Sequence, residues 1–333
     1  MELIKLGNSD LDINPIAFGA WAIGGAAWGG NDEQDSYDAI CAAIDNELVT
    51  IDTAPIYGYG KSEEIIGKVI KDRGGRDQLR ILTKFGINWN TNKGKFYFAG
   101  SYNGKDLDVY LYSGKDGVIK ECEASLKRLQ TDYIDLYQVH RPDPTTDISE
   151  TMEALELLKT QGKIREGAVS NYNLEQLKKA VNHFPVLSNQ LSYSMLERDI
   201  EKDIIPFCLE KEIGILAYSP LQRGILTGKY RGKINWDEDD HRKDTKWFQP
   251  ENRERINTFL DKIEPIANDH GMSMSQLVIN WTIRQKGITC TLLGGRNSLQ
   301  VEQNIKSLDF SLGESEIQII DKELSQLKLI DQK

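Results

Sequence analysis

The chain of 333 residues is poor in the side chains that metal sites and disulfide frameworks are built from, with four cysteines and four histidines. Cys41, Cys122, Cys208 and Cys290 lie far apart and form no Cys-x-x-Cys pair, which argues against a zinc site and a disulfide scaffold and for small buried apolar groups. His183, His241 and His270 fall in or beside helical and loop segments without ligand spacing, so no metal is expected. Positive charge is also short: 41 Lys and Arg against 51 Asp and Glu leave a net charge of -10. A nucleic-acid partner would require basic patches that replace the counterions around phosphate, and none is expected here. No run approaches the roughly 20 apolar residues of a membrane helix. The opening Met1-Glu2-Leu3-Ile4-Lys5 has no apolar stretch behind a basic segment, so the expectation is a cytoplasmic protein without membrane contact. No Gly-x-Gly-x-x-Gly follows a strand, which removes support for a Rossmann-type dinucleotide site.

What the chain does have is alternation. From about residue 33, amphipathic helical stretches alternate with short apolar runs, the pattern of βα units around a parallel sheet. Strands are predicted near 15–19, 49–52, 80–84, 133–139, 164–169, 186–190, 213–218 and 289–293. Helices are predicted near 33–46, 61–72, 117–129, 149–161, 173–182, 200–211, 273–286 and 298–306. Eight units with no linker rich in Pro, Gly or Ser point to one α/β domain over 1–333, a closed (β/α)8 TIM barrel. Two alternating runs around Gly7-Asn8 predict an N-terminal hairpin covering the barrel floor. Helical patterns at 252–270 and 314–327 lie outside the eight units and are predicted as two extra external helices. Ser62-Glu63-Glu64 and Asn173-Leu174-Glu175-Gln176 read as helix openings. Two long loops remain, 85–116 and 219–251, and in the first the runs either side of Asn103-Gly104 predict a small hairpin lid.

In such a barrel the reacting groups come from the carboxyl ends of the strands, where the βα loops meet. Asp52 ends the second strand, Tyr57 follows it, Lys84 ends the third and His140 follows the fourth. A carboxylate, a phenol, an amine and an imidazole from three neighbouring strands make a proton-transfer site. The segment Ile51-Asp52-Thr53-Ala54-Pro55-Ile56-Tyr57-Gly58, with Leu129-Gln130-Thr131-Asp132 before His140, Gly162-Lys163-Ile164-Arg165 and Ser170-Asn171-Tyr172, resembles the aldo-keto reductase superfamily over nearly the whole chain. With Trp21-Ala22-Ile23-Gly24-Gly25 and Trp28-Gly29-Gly30, it looks most like the bacterial general stress and inositol-locus branch. The resemblance implies an NADP(H)-dependent oxidoreductase in which Tyr57 is the general acid. Lys84 would lower the phenol pKa, Asp52 would hold Lys84, and His140 would orient the substrate oxygen.

Gly294-Gly295-Arg296 follows the eighth strand and leads through Asn297-Ser298 into a helix, so backbone amides, a helix amino end and a cation meet where barrels commonly bind phosphate. The resemblance implies that Gly294, Arg296, Gln300, Gln303 and Asn304 hold the adenosine end of the cofactor. An arginine fork there favours NADP(H), with NAD(H) as the alternative. It also implies that Ser170, Asn171 and Gln190 bind the nicotinamide carboxamide and that Tyr218 stacks on its ring. A loop with Ser219, Leu221, Gly224, Leu226 and Lys229 would cover the pyrophosphate. Trp21, Trp28 and Trp89 are expected to line the substrate pocket, and the partner is a small carbonyl or polyol: aldehyde, ketone or sugar. The rival readings are a non-redox, sugar-isomerising barrel, which the fold permits, and a cofactor-binding regulatory subunit.

Overall fold

The computed structural model describes residues 1–25, 32–232, 234, 236 and 240–330. Eight strands close into a parallel barrel in chain order: β1 (Ile16–Gly19), β2 (Thr50–Asp52), β3 (Arg80–Phe85), β4 (Ile134–Val139), β5 (Ile164–Ser170), β6 (Ser188–Ser192), β7 (Gly214–Tyr218) and β8 (Cys290–Gly294). Helices follow them on the outside: α1 (Glu33–Asp45), α2 (Lys61–Arg73), α3 (Lys115–Leu129), α4 (Ile148–Thr160), α5 (Leu174–Val181), α6 (Ile204–Glu210), α7 (Pro250–Asp269), α8 (Met274–Ile283), α9 (Ser298–Ile305) and α10 (Glu314–Gln326). This is the (β/α)8 architecture expected from the alternation.

Because strand side chains alternate, each strand contributes one set inward and one outward. Ile16, Phe18, Ile51, Ile81, Tyr137, Val139 and Val169 point outward and pack under the helices. Ala17, Leu82, Leu136, Ala168, Leu216, Cys290 and Leu292 form a second cluster with Leu6, Leu11 and Ile13 of the N-terminal hairpin, in which Ile4 pairs with Ile13. The hairpin therefore seals the floor, as expected. Two residues further along the same inward rows stand Lys84, Gln138 and Ser170, all buried and polar. The interior thus changes from apolar to polar toward the carboxyl ends, and that change places the site.

Local chemistry explains how the surrounding helices are tied in. At α2 the start differs from expectation: Gly60, at φ +101°, precedes Lys61, and no side chain caps the helix. Ser62 instead donates to the Ala20 carbonyl at 3.0 Å and meets Thr53 Oγ1 at 2.8 Å. Buried Glu63 accepts from Thr83 at 2.6 Å and Arg128 at 2.7 Å, so α2 is pinned to β3 and α3 rather than opened by its polar residues. The helix opening expected at Asn173 is present on α5, where Asn173 and Gln176 form a capping box. The two extra helices, α7 and α10, pack on each other, with Lys262 bridging to Glu323 at 2.6 Å, and the Trp281 indole of α8 donates to Asp321 at 3.2 Å.

Of the two long loops, the one after β3 carries a hairpin, Lys95–Tyr102 against Lys105–Leu111. Asn103 and Gly104 both take positive φ, 51° and 73°, the primed turn that Asn-Gly favours. The loop after β7 holds short 3-10 turns at Gln222–Thr227, His241–Asp244 and Lys246–Phe248. Among the described residues no helix is long and apolar enough to cross a membrane.

Candidate active site

Asp52, Lys84 and His140 reach the barrel mouth from the ends of β2, β3 and β4. Tyr57 is brought to them by a loop with a steric requirement at the next position. Gly58 has φ +66° and packs against the Gly24 backbone, where an added Cβ would lie 2.1 Å from the Gly24 carbonyl oxygen. Only glycine fits, and its close approach locks the Tyr57 loop to the one after β1. Trp21 on that loop stands 6.4 Å from Tyr57, ring centre to ring centre.

The Lys84 ammonium is fully buried and donates to Asp52 Oδ1 at 2.5 Å, the Thr53 carbonyl at 2.9 Å and Tyr57 Oη at 3.2 Å. Those three acceptors use all three of its protons. Asp52 Oδ2 accepts from Gln190 Nε2 at 2.8 Å and from Gln138 Nε2 at 3.3 Å. His140 meets the Tyr57 ring edge-on at 5.7 Å. Its Nδ1 is buried without a partner among the described residues.

Burial and charge pull these groups in opposite directions. Burial alone would depress the Lys84 ammonium, but the charges and hydrogen bonds of Asp52 and Tyr57 together outweigh it and hold its pKa above the ordinary value. Burial also dominates at Tyr57, raising the phenol above 10 although Lys84 pulls it down; Asp52 adds to the rise. Lys84 lowers the phenol as expected, but desolvation of a phenolate outweighs it and Asp52 opposes it further, so the net direction is upward. Burial, followed by the charges of Lys84 and Arg141, drives the His140 pKa well below 6.5, so its imidazole is neutral at physiological pH.

Above this group lies a cavity of about 940 Å³. At its floor Ser170 donates to the Gln190 carbonyl at 2.9 Å, and Asn171 Nδ2 donates to the His140 carbonyl at 2.9 Å and Ser170 Oγ at 3.0 Å. Tyr218 Oη donates to Asn171 Oδ1 at 2.8 Å. Tyr59, Asn171, Ser219, Gln222 and Arg223 all have positive φ and all line the cavity, which concentrates backbone strain at the site. At the far end Asn297 caps α9 through the Gln300 amide at 3.0 Å, Gln300 Oε1 accepts the Arg296 amide at 3.0 Å, and Asn304 holds the Gly294 carbonyl at 3.0 Å. A Cβ on Gly295 would come 2.9 Å from Val301, so the backbone approaches α9 closely there.

The structure thus brings Trp21, Asp52, Tyr57, His140, Ser170, Asn171, Gln190, Tyr218, Ser219, Leu221, Gly224, Lys229, Gly294, Arg296, Gln300 and Asn304 around one cavity, with Lys84 beneath Tyr57. Three expected residues stand elsewhere. Leu226 is fully buried in the apolar core, because its 3-10 turn directs that side chain inward. Gln303 is exposed on α9, and its Oε1 accepts from Gln276 at 3.3 Å. Trp89 packs edge-on against Tyr59 at 5.4 Å, beside Ile87, Val109 and Leu111 beneath the hairpin. Trp28 lies outside the described residues. Gln190, expected at a carboxamide, turns its own amide onto Asp52 instead. Tyr97 and Phe98, of the expected lid, line the cavity, whereas Tyr59, Arg141 and Glu197 on its wall and Gln138 on Asp52 were not anticipated. A signal existed for Gln138: it sits two residues before His140 and two after Leu136, on the same inward face.

An ammonium–carboxylate pair under a half-buried phenol, beside a neutral imidazole at a barrel mouth, has the chemistry to move one proton to or from an oxygen. Comparison with known proteins places the chain: residues 15–324 match the model of the aldo/keto reductase family, and the chain belongs to that family of oxidoreductases. It is 38% identical over 304 residues to the aldo-keto reductase YhdN of Bacillus subtilis, covering 91% of this chain and 87% of that one. It is 32% identical over 321 residues to an NADH-specific methylglyoxal reductase of Escherichia coli, covering 95% and 96%. Among solved structures, a glycerol dehydrogenase from Gluconobacter oxydans superposes with a TM-score of 0.89 at 33% identity, over 99% of this chain and 98% of the other.

Proposed function

We propose that residues 1–333 act as one barrel domain that transfers hydride between a nicotinamide cofactor, NADP(H) in preference to NAD(H), and a small aldehyde, ketone, sugar or polyol. The observation that carries this reading is the Lys84 ammonium held between Asp52, at 2.5 Å, and the Tyr57 hydroxyl, at 3.2 Å, with His140 beside them. The relatives' names, a methylglyoxal reductase and a glycerol dehydrogenase, support carbonyl and polyol substrates. The motifs around Trp21 and Trp28 support the general stress and inositol-locus branch within the family.

The cavity fits such a cofactor in two places. Gly295, Arg296, Gln300 and Asn304 would hold the adenosine phosphate end at the α9 amino terminus; Ser170, Asn171 and Tyr218 would hold the nicotinamide. A nicotinamide held there would supply or accept the hydride at the carbonyl carbon. In reduction Tyr57 Oη gives its proton to the carbonyl oxygen, and the positive charge of Lys84 stabilises the phenolate left behind. Asp52 keeps Lys84 in place, and the amides of Gln138 and Gln190 keep Asp52 in place. Neutral His140 donates a hydrogen bond to the same oxygen and orients it. In alcohol oxidation each proton movement reverses.

The test is fluorescence titration with NADPH and NADH, followed by absorbance of the reduced nicotinamide as aldehydes, ketoses and polyols are added. Preferred binding of NADPH with carbonyl-dependent consumption is the expected result; no binding of either nucleotide sinks the proposal. Arg296→Ala is expected to weaken NADPH by roughly 10–100-fold through loss of a charge-assisted pair with the 2′-phosphate, and NADH far less. Equal weakening of both would place the 2′-phosphate elsewhere.

A further inference from the structure

The catalytic end of the cavity carries one positive charge that the chemistry above does not use. Its walls are aromatic and aliphatic, from Trp21, Ile56, Tyr59, Ile87, Tyr97 and Phe98. The charges of Lys84 and Asp52 offset each other at 2.5 Å, Tyr57 is protonated and His140 neutral. Arg141 follows His140 directly, is half-buried and lines the same space. Among the described residues it pairs with no carboxylate; its recorded contact is the Tyr97 ring, 5.9 Å away. Three other partly buried arginines are each paired with a carboxylate, Arg76 with Asp135 at 2.7 Å, Arg128 with Glu63 at 2.7 Å and Arg198 with Glu201 at 2.6 Å, and Arg80 spends its guanidinium on the backbone carbonyls of Asp12, Asp77 and Leu79. The cavity's further carboxylate, Glu197, is already engaged by Ser192 and Gln222, both at 2.7 Å.

A guanidinium drawn partly out of water without a counter-charge favours an anion in the space it faces, and its planar fork suits carboxylate and phosphate oxygens. Tyr97, on the hairpin after β3, lies against it and limits its swing. We propose that Arg141 anchors the substrate's own anionic group, so that the preferred substrates are short aldehydes or ketones bearing a carboxylate or phosphate. His140 takes the carbonyl oxygen and Arg141 the oxyanion. Because His140 and Arg141 are adjacent in the chain and line the same cavity, one short substrate can meet both. This inference rests on the reductase reading and adds the chemical class to it.

The experiment compares kcat/KM for matched pairs: succinic semialdehyde against butyraldehyde, and glyceraldehyde 3-phosphate against glyceraldehyde. The wild-type protein is expected to prefer the anionic member of at least one pair by roughly 10–100-fold, and the pair that shows it tells carboxylate from phosphate. Arg141→Met is expected to abolish that preference, chiefly through KM, while Arg141→Lys keeps part of it because charge survives without the fork. A melting curve and an NADPH titration establish that both variants are folded. Turnover of the neutral aldehydes with no preference for the anionic ones overturns the anchor alone, as does an equal loss on both members of a pair in Arg141→Met. Failure of the wild-type protein to reduce any member overturns the reductase reading beneath it.

Discussion

Tyr57→Phe is expected to lower kcat by roughly 10³-fold while cofactor affinity stays close to that of the unaltered protein, because the phenyl ring keeps the packing and only the proton donor is lost. Lys84 keeps its bonds to Asp52 at 2.5 Å and the Thr53 carbonyl at 2.9 Å, so the local fold survives and costs about 1 kcal/mol for one missing hydrogen bond. Steady-state kinetics with a nucleotide titration separate the two quantities, and retained turnover would remove Tyr57 as the acid. The pH profile of the unaltered protein sharpens this. With the phenol held above 10 and the His140 imidazole well below 6.5, neither group should impose a limb on reduction between those values. A limb near 6.5 would mean that His140 titrates in the site.

The second large effect is expected at Lys84. Replacing it with Met leaves Asp52, buried at 3% exposure, with only the amides of Gln138 and Gln190. Removing one partner of a buried ion pair typically costs ~3–5 kcal/mol, a large part of a folding free energy of about 5–15 kcal/mol. Turnover should also fall by two or more orders of magnitude, since the phenolate formed in reduction loses its stabilising charge. The double variant Lys84→Met/Asp52→Leu separates the two roles. Removing both charges should recover most of the melting temperature and none of the activity; recovered activity would show that the pair serves stability alone. The sign of the pH dependence agrees. A lysine whose pKa is raised in the fold contributes stability that is full below its unfolded value of about 10.4 and is lost as pH rises through the folded value. Acid should therefore not weaken this contribution through Lys84.

Much of the architecture is legible along the chain because each signal is local. Helical and strand periods alternate eight times, Asn103-Gly104 demands a primed turn, and Asn173 with Gln176 closes a capping box three residues apart. A parallel barrel then needs no further information to bring strand ends together, so Asp52, Lys84 and His140 could be placed at one mouth before any distance was known. Failures cluster where direction matters rather than position. Leu226 and Lys229 share one loop, yet one faces the core and the other the cavity. Gln300 and Gln303 share one helix and neighbouring positions on it, yet only the first looks into the cavity, while Gln303 is engaged by Gln276 of α8.

What the sequence by itself determined about this protein is the order of its elements and the residues at the barrel mouth, because periodicity, turn chemistry and strand alternation act over a few neighbouring residues. Only the tertiary structure decided how strongly those groups are desolvated and which of them cancel. Burial, summed over every element around Tyr57, outweighs the ammonium beside it and raises the phenol that a pairwise reading would lower. The same closure turns Gln138 and Gln190 onto Asp52 from strands 52 residues apart in sequence, and leaves Arg141 facing the cavity with an aromatic ring for company. Solvent exclusion and long-range pairing are properties of the closed barrel, and no short window of sequence contains them.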